Sequence, residues 1–294
     1  YYLNGLSTSL PPEIQLKILR TIPGLEHAKV TRYAYAIEYD FVFPEELDRT
    51  LHVRKWKGLY HAGQINGTSG YEEAAGQGLL AGLNAARYAA GKDGVELGRD
   101  SSYLGVLADD ITTKEIVEPY RLFTSRAEHR LSLRQDNADF RLCPSAYEWG
   151  LLPQEKYDRF RAYAEKCEKT EALCRSIRRS GRNLWDALKD CKGDCEAEPP
   201  KFEMAEIGLD PENATDRRVL RHLAIQAHYE GYMRQEEQAI RRLRALEAWR
   251  IPEDFDYSSL PGLRNESRMK LQKVRPGTLA QAGRIDGVTP SEIS

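Results

Sequence analysis

The sequence predicts an α/β segment followed by mostly α-helical domains, and three stretches carry that reading. Between Val30 and Phe43, apolar residues largely alternate with polar ones (Val30, Tyr33, Tyr35, Ile37, Tyr39, Phe41, Phe43), the pattern of a sheet segment with one buried face. Between Gly58 and Ala90, a short buried strand expected over Leu59 to Ala62 enters a glycine-rich polar turn, Gly63 to Gly70, and leaves it as a long helix from about Tyr71. From about Tyr103 onward strand patterns fade and charged helical patterns take over, which places a boundary near Gly98. The expected division is residues 1–98, β-rich over 26–62 with a helix over 71–90, then a helical domain over 99–215 and a C-terminal helical domain over 216–294.

The bulk numbers fit this plan. A chain of 294 residues is long enough for two or three domains with real cores. It is 30% charged and 41% hydrophobic with a mean hydropathy of −0.62, and no apolar run approaches membrane-spanning length. The net charge of −2 gives no global basic field, so nucleic-acid contact would need a local patch. Five scattered cysteines (Cys143, Cys167, Cys174, Cys191, Cys195) argue against a disulfide framework and for a reducing, cytoplasmic compartment. Tyr1 to Gly5 has neither the basic start nor the apolar core of a targeting segment, and a start at Tyr1 without Met is expected to have lost the natural beginning.

Taken in order, Pro11-Pro12-Glu13 opens a short helix that Pro23-Gly24 closes, and Pro44-Glu45-Glu46 breaks the strand-like stretch. The turn at Gly63 to Gly70 leaves backbone N–H groups and the positive helix end facing outward, which suits an anionic or electron-rich ligand. The same residues also suit a purely structural corner, and by themselves they leave both readings open. Gly76-x-Gly78-x-x-Ala81 has the spacing of a dinucleotide fingerprint, but it falls inside the helix rather than in the turn. Gly76, Gly78, Ala81, Gly82, Ala85 and Ala86 are therefore read as a small-residue face for close packing.

Ser125-x-x-Glu128 is a capping-box candidate, and the helix it would open places Arg126, Arg130 and Arg134 on one face. Arg121 lies just before it, so four arginines face one acid between Pro119 and Arg134. Guanidinium groups suit phosphate, and Tyr120, Phe123 and His129 interleave rings able to stack on an unpaired base. An ion-pair lattice with Asp109, Asp110, Asp136 and Asp139 is the alternative. Residues 153–180 read as an amphipathic helix and 181–215 as loop-rich; a long helix starts near Thr215, with Gly231 as a soft interruption, and Ile251-Pro252 stops it. That helix holds eight arginines against four acids between Arg217 and Arg250, a solvated face or an extension of the basic surface. Thr278 and Thr289-Pro290 mark short helices in the tail. Cys167 and Cys174 fall on a core face, and Cys191-x-x-x-Cys195 is a loop pair without metal-ligand spacing. No Ser-His-Asp set or paired carboxylates stand out, so no catalytic residue is named.

Five blocks in order carry a resemblance: Asn4 to Leu10, Tyr35 to Asp40, AGQINGTSGYEEAAGQGLLAGLNAA (Ala62 to Ala86), Tyr103 to Leu142, and Gly262 to Ile293. Together they are similar to the GidA (MnmG) family, which modifies the wobble uridine of certain transfer RNAs. The resemblance implies that the α/β segment is the remnant of a flavin-binding domain of Rossmann-like, glutathione-reductase type, with the dinucleotide fold and the family's catalytic cysteines upstream of Asn4. It implies FAD reduced by NADH, methylenetetrahydrofolate as one-carbon donor, a homodimer, and a GTPase partner, MnmE, on the C-terminal helical region. Gln64 is the first candidate for flavin contact, with Gly63, Ile65, Asn66, Thr68 and Tyr71 around it, and Arg121, Arg126, Arg130 and Arg134 are candidates for tRNA contact. The chain as it stands is expected to be inactive. Three competing readings stay open: the folate- and FAD-dependent tRNA uracil methyltransferase, disfavoured by the long helical part; a flavin disulfide reductase, disfavoured by the lack of a redox cysteine pair at the turn; and a non-catalytic scaffold binding tRNA and partner.

Overall fold

A computed structural model describes residues 1–294 apart from Glu115, Val117, Glu196, Glu198, Lys201, Glu253 and Ser294, with Glu45 described in its backbone alone. Tyr1–Phe41 and Val42–Ser294 form separate compact units. In the first, Pro12 at the first helical position starts helix α1 (Pro12–Arg20). The Gln15 side chain of α1 accepts from Ala34 N–H (2.9 Å) and donates to the Ala34 carbonyl (2.9 Å). The alternating stretch that follows forms no strand, and Tyr35 and Ile37 are 69% and 61% exposed. Alternation supplies a face, but a strand also needs a neighbouring backbone for its amides and carbonyls. Only isolated bridges, Leu47 to Val53 and His52 to Tyr60, appear over the rest of the expected β-rich region.

The second unit is helical. Helices α2 (Tyr71–Ala89) and α3 (Tyr103–Thr113) pack beside the segment from Leu47 to Val53. Next come α4 (Ala138–Glu148), α5 (Gln154–Ser176), a two-residue hairpin of β1 (Arg178–Arg179) with β2 (Arg182–Asn183), and α6 (Leu184–Lys189). The 34-residue α7 (Ala214–Glu247) follows, then α8 (Asn265–Val274), α9 (Leu279–Arg284) and α10 (Pro290–Ile293). Side chains set several of the starts: Asn213 accepts from Thr215 N–H (2.8 Å) and Thr278 from Gln281 N–H (3.1 Å). Gly231 lies exposed and does not interrupt α7, whose length is held by burial on either side of it. Among the described residues no helix is long and apolar enough to cross a membrane.

Packing divides the chain differently from composition. Leu97 and Leu107, on either side of Gly98, share one core with Leu47, Leu51, Leu80 and Ile111. The Gly98 carbonyl stands only 2.2 Å from where a Cβ on Gly105 would lie, so α3 presses directly on the expected boundary. A second core joins Tyr163, Cys167 and Cys174 of α5, Leu184, Trp185 and Leu188 of α6, and Val219, Leu223 and Ala227 of α7, and so spans residue 215. A third, around Tyr257, Leu271, Ala282 and Ile285, closes the tail. Cys191 is buried in the second core and Cys195 packs against it, with burial and the neighbouring thiol pushing Cys195 up to about 12.

Candidate functional site

The chain reaches α2 through a 3-10 turn, Gly63–Asn66, that depends on left-handed backbone at Gly63 (φ +83°) and Gly67 (φ +73°). Gln77, one and a half turns into α2 and fully buried, organises this turn. Its Oε1 accepts from Gly63 N–H (3.1 Å) and Asn66 Nδ2 (2.7 Å), and its Nε2 donates to Thr68 Oγ1 (2.9 Å) and the Glu73 carbonyl (3.2 Å). Thr68 in turn donates to the Gly63 carbonyl (3.0 Å).

The six residues expected at the ligand therefore sort into two groups. Gly63, Asn66 and Thr68 are buried and hold the shape of the turn, whereas Gln64, Ile65 and Tyr71 are exposed, Tyr71 by 94%. Gly70, at the helix start, offers the first amides of α2 no side-chain acceptor. Two buried acceptors, Asn66 Oδ1 and Glu73 Oε2, have no hydrogen-bond partner among the described residues. The helix that leads away is not a uniform small-residue face. A Cβ on Gly76 would meet Leu104 of α3 at 3.2 Å and Ala81 is core, but Gly78 and Gly82 face open space.

The arginine segment lies directly against the turn. Tyr120 N–H donates to the Gly67 carbonyl (2.8 Å), Ser69 N–H to the Tyr120 carbonyl (3.1 Å), and Leu122 N–H to Glu73 Oε1 (2.9 Å). Burial by itself would raise the Glu73 carboxyl; the Leu122 amide, its own amide and Arg121 at 3.4 Å outweigh it and hold the group below its ordinary value.

The helix expected from Ser125 does not form. Thr124–Arg126 is a single 3-10 turn followed by further turns, so Arg126, Arg130 and Arg134 share no helix face. The reason is that Glu128, the acid of the candidate capping box, is taken up by Arg99 (2.9 Å). Arg126 stacks over the Tyr120 ring (4.5 Å) and its Nε donates to the Arg121 carbonyl (3.0 Å). Arg134 pairs with Asp136 (2.9 Å), with its side chain 12% exposed, and His129 is buried. Arg130 is exposed and has no hydrogen bond or ion pair among the described residues. Arg121 is half exposed, and Phe123 is 59% exposed. Of the expected lattice acids, Asp136 holds Arg134 and Asp139 holds Arg218 (2.6 Å).

Asp109 and Asp110 serve a cluster that spacing did not reveal. Both are fully buried on α3. Arg99 reaches Asp110 (2.6 Å) and Asp109 (3.2 Å), and Arg284 of α9 grips both oxygens of Asp109 at 2.7 Å while reaching Glu247 (2.8 Å). Burial would raise the Asp109 carboxyl, but Arg284, Arg49 and Arg99 outweigh it and keep it below its ordinary value. The available signal was two adjacent acids in the otherwise apolar run Tyr103 to Thr113. Among the described residues no group of three His, Cys, Asp or Glu side chains is placed to hold a metal ion.

Known proteins match this architecture at both ends. The family profile "Glucose inhibited division protein A" matches residues 1–93, and "tRNA modifying enzyme MnmG/GidA C-terminal helical bundle" matches 239–294. The first profile covers the glycine turn and α2, and the second, whose name is that of a class of tRNA-modifying enzymes, covers the end of α7 and the helices α8 to α10. The chain belongs to the GidA/MnmG family. It is 45% identical over 307 residues to "tRNA uridine 5-carboxymethylaminomethyl modification enzyme MnmG" of Ligilactobacillus salivarius, covering 100% of this chain and 48% of that protein. It is 46% identical over 293 residues to the protein of the same name from Aquifex aeolicus, again covering 100% and 48%. The structure of Aquifex aeolicus GidA in its form I crystal superposes with a TM-score of 0.80 at 46% identity, over 99% of this chain and 47% of that one. The chain thus spans about half the length of the relatives it matches.

Proposed function

We propose that this chain is part of an FAD-dependent enzyme that adds a carboxymethylaminomethyl group to C5 of the wobble uridine of tRNA. In this reading NADH reduces the flavin, methylenetetrahydrofolate gives the carbon, and the enzyme works in the cytoplasm as a homodimer. The GTPase MnmE docks on its C-terminal helical region.

The observation that carries the flavin part is the turn organised by Gln77. It presents Gln64 and Ile65 outward beside the start of α2, where Gly70 supplies no side-chain cap. The Gln64 side-chain amide, which carries both a donor and an acceptor, fits the pyrimidine edge of an isoalloxazine ring, which itself alternates acceptors with a donor. Bound there, FAD would supply two-electron redox chemistry. The chain's own contribution is placement: Gln64 and Ile65 meet the ring edge, Gln77 fixes the turn, and the positive end of α2 favours negative charge beside it. The exposed Arg121 and Arg130 provide phosphate contacts for the RNA.

The test uses the protein expressed from its complete gene. It is expected to purify with flavin absorbance, and Gln77→Ala, which deletes four hydrogen bonds at the turn, should weaken FAD binding by at least about tenfold. A colourless protein that FAD cannot reconstitute would overturn the reading.

A further inference from the structure

We propose that Glu73 is a positioning residue, a latch that fixes the arginine segment on the glycine turn so that both act as one site for a single unstacked nucleotide. This rests on the function proposed above and adds the residue that joins its two halves. Burial alternates from Tyr120 to Phe123, where the backbone is extended at Phe123: Tyr120 and Leu122 pack inward, while Arg121 and Phe123 are exposed. Among the described residues, main-chain bonds tie only the first residue of this run to the turn, through Gly67 and Ser69. Beyond Tyr120 the polar attachment among the described residues is the Glu73 carboxylate, which accepts from Leu122 N–H (2.9 Å) and faces Arg121 Nε (3.4 Å). Because Arg121 meets Glu73 through Nε, its two terminal nitrogens remain for a phosphate. Phe123, two residues on, offers a ring face for the base.

The space for the latch is reserved by Gly70. A Cβ there would lie 1.7 Å from Glu73 Oε2, although Gly70 has an extended backbone (φ −157°) that alanine adopts freely. Gly70→Ala therefore displaces the carboxylate without removing a charge or straining the chain, and it stands as an independent probe beside Glu73→Ala.

The experiment adds transcribed tRNA with uridine at the wobble position to the flavin-loaded protein expressed from its complete gene, and reads both the affinity and the change in flavin fluorescence. Glu73→Ala and Gly70→Ala should each weaken tRNA binding about tenfold and abolish the tRNA-induced flavin change, while FAD stays bound. Glu73→Gln keeps an acceptor for Leu122 N–H and should restore most of the flavin response. A merely structural Glu73 would lower the melting temperature in all three variants and leave the response intact in the folded protein. Wild-type affinity and response in both alanine variants would overturn the latch, as would loss of FAD from all three. A parent protein that binds tRNA but never flavin would overturn the functional reading beneath it.

Discussion

Two sets of arginines in this molecule look alike in the sequence and do opposite things in the fold. Arg99 and Arg284 are buried, with side chains 1% and 12% exposed, and each spends its guanidinium on carboxylates from other segments. Arg121 is 52% exposed with one side-chain ion pair, and Arg130 is exposed with none among the described residues. The first set joins α9, α3 and the end of α7 around Asp109; the second leaves charge on the surface beside the glycine turn. An arginine committed to carboxylates inside the protein fixes architecture, and only one left with free donors at the surface has binding capacity to offer.

The sharpest way to break this contrast is at Asp109. Asp109→Ala removes the carboxylate that Arg284 grips with two bonds, leaving Arg284 with Glu247 and Arg99 with Asp110 and Glu128, and loss of one partner from a buried pair costs about 3–5 kcal/mol. The unfolding midpoint in urea should fall accordingly, with the C-terminal bundle loosening from α3. An Asp109→Ala protein as stable as its parent would mean that the cluster around it holds nothing together.

The second comparison sets Arg130 against Arg134, two residues that one helical turn would have placed side by side. On the proposed reading, Arg130→Ala should reduce tRNA affinity about tenfold and lower the salt slope of binding by about 1. Arg134→Ala removes a guanidinium already held by Asp136, and should change affinity less than about twofold while costing about 1 kcal/mol of stability. Equal effects on RNA binding from the two substitutions would show that exposure does not separate them.

What the sequence made legible follows the same division between local and distant causes. The starts of α1, α2 and α9 were readable because their signals, Pro12, the glycine turn and Thr278, lie within a few residues of the first helical turn, and the start of α7 fell beside the expected Thr215. The helix expected at Ser125 failed because Glu128 answers to Arg99, 29 residues earlier. The strand expected from Val30 failed because alternation supplies a face and not a partner. At the turn, the positions were legible but not their directions. Gln77, a lone amide among small helical residues, decides that Asn66 and Thr68 point inward and that Gln64 stays on the outside.

The smallest effect tests the contrast inside the helical core, where Glu230 of α7 accepts from Arg175 (3.0 Å) and lies 3.2 Å from Lys189. Burial would raise its carboxyl, but these two cations outweigh it and hold the group down to about 2. With a folded value below the ordinary 4.5, the stabilisation is complete above about 4.5 and is lost as pH falls toward about 2. Arg175 and Lys189 are 41% and 38% exposed, so solvent screens the pair and the total is about 1 kcal/mol. Glu230→Gln should therefore be less stable than its parent near neutral pH by that amount, and the two melting curves should converge as the pH approaches 2. A difference that stays constant across that range would show that Glu230 acts by packing alone, and that a half-exposed pair in this fold carries no measurable charge stabilisation.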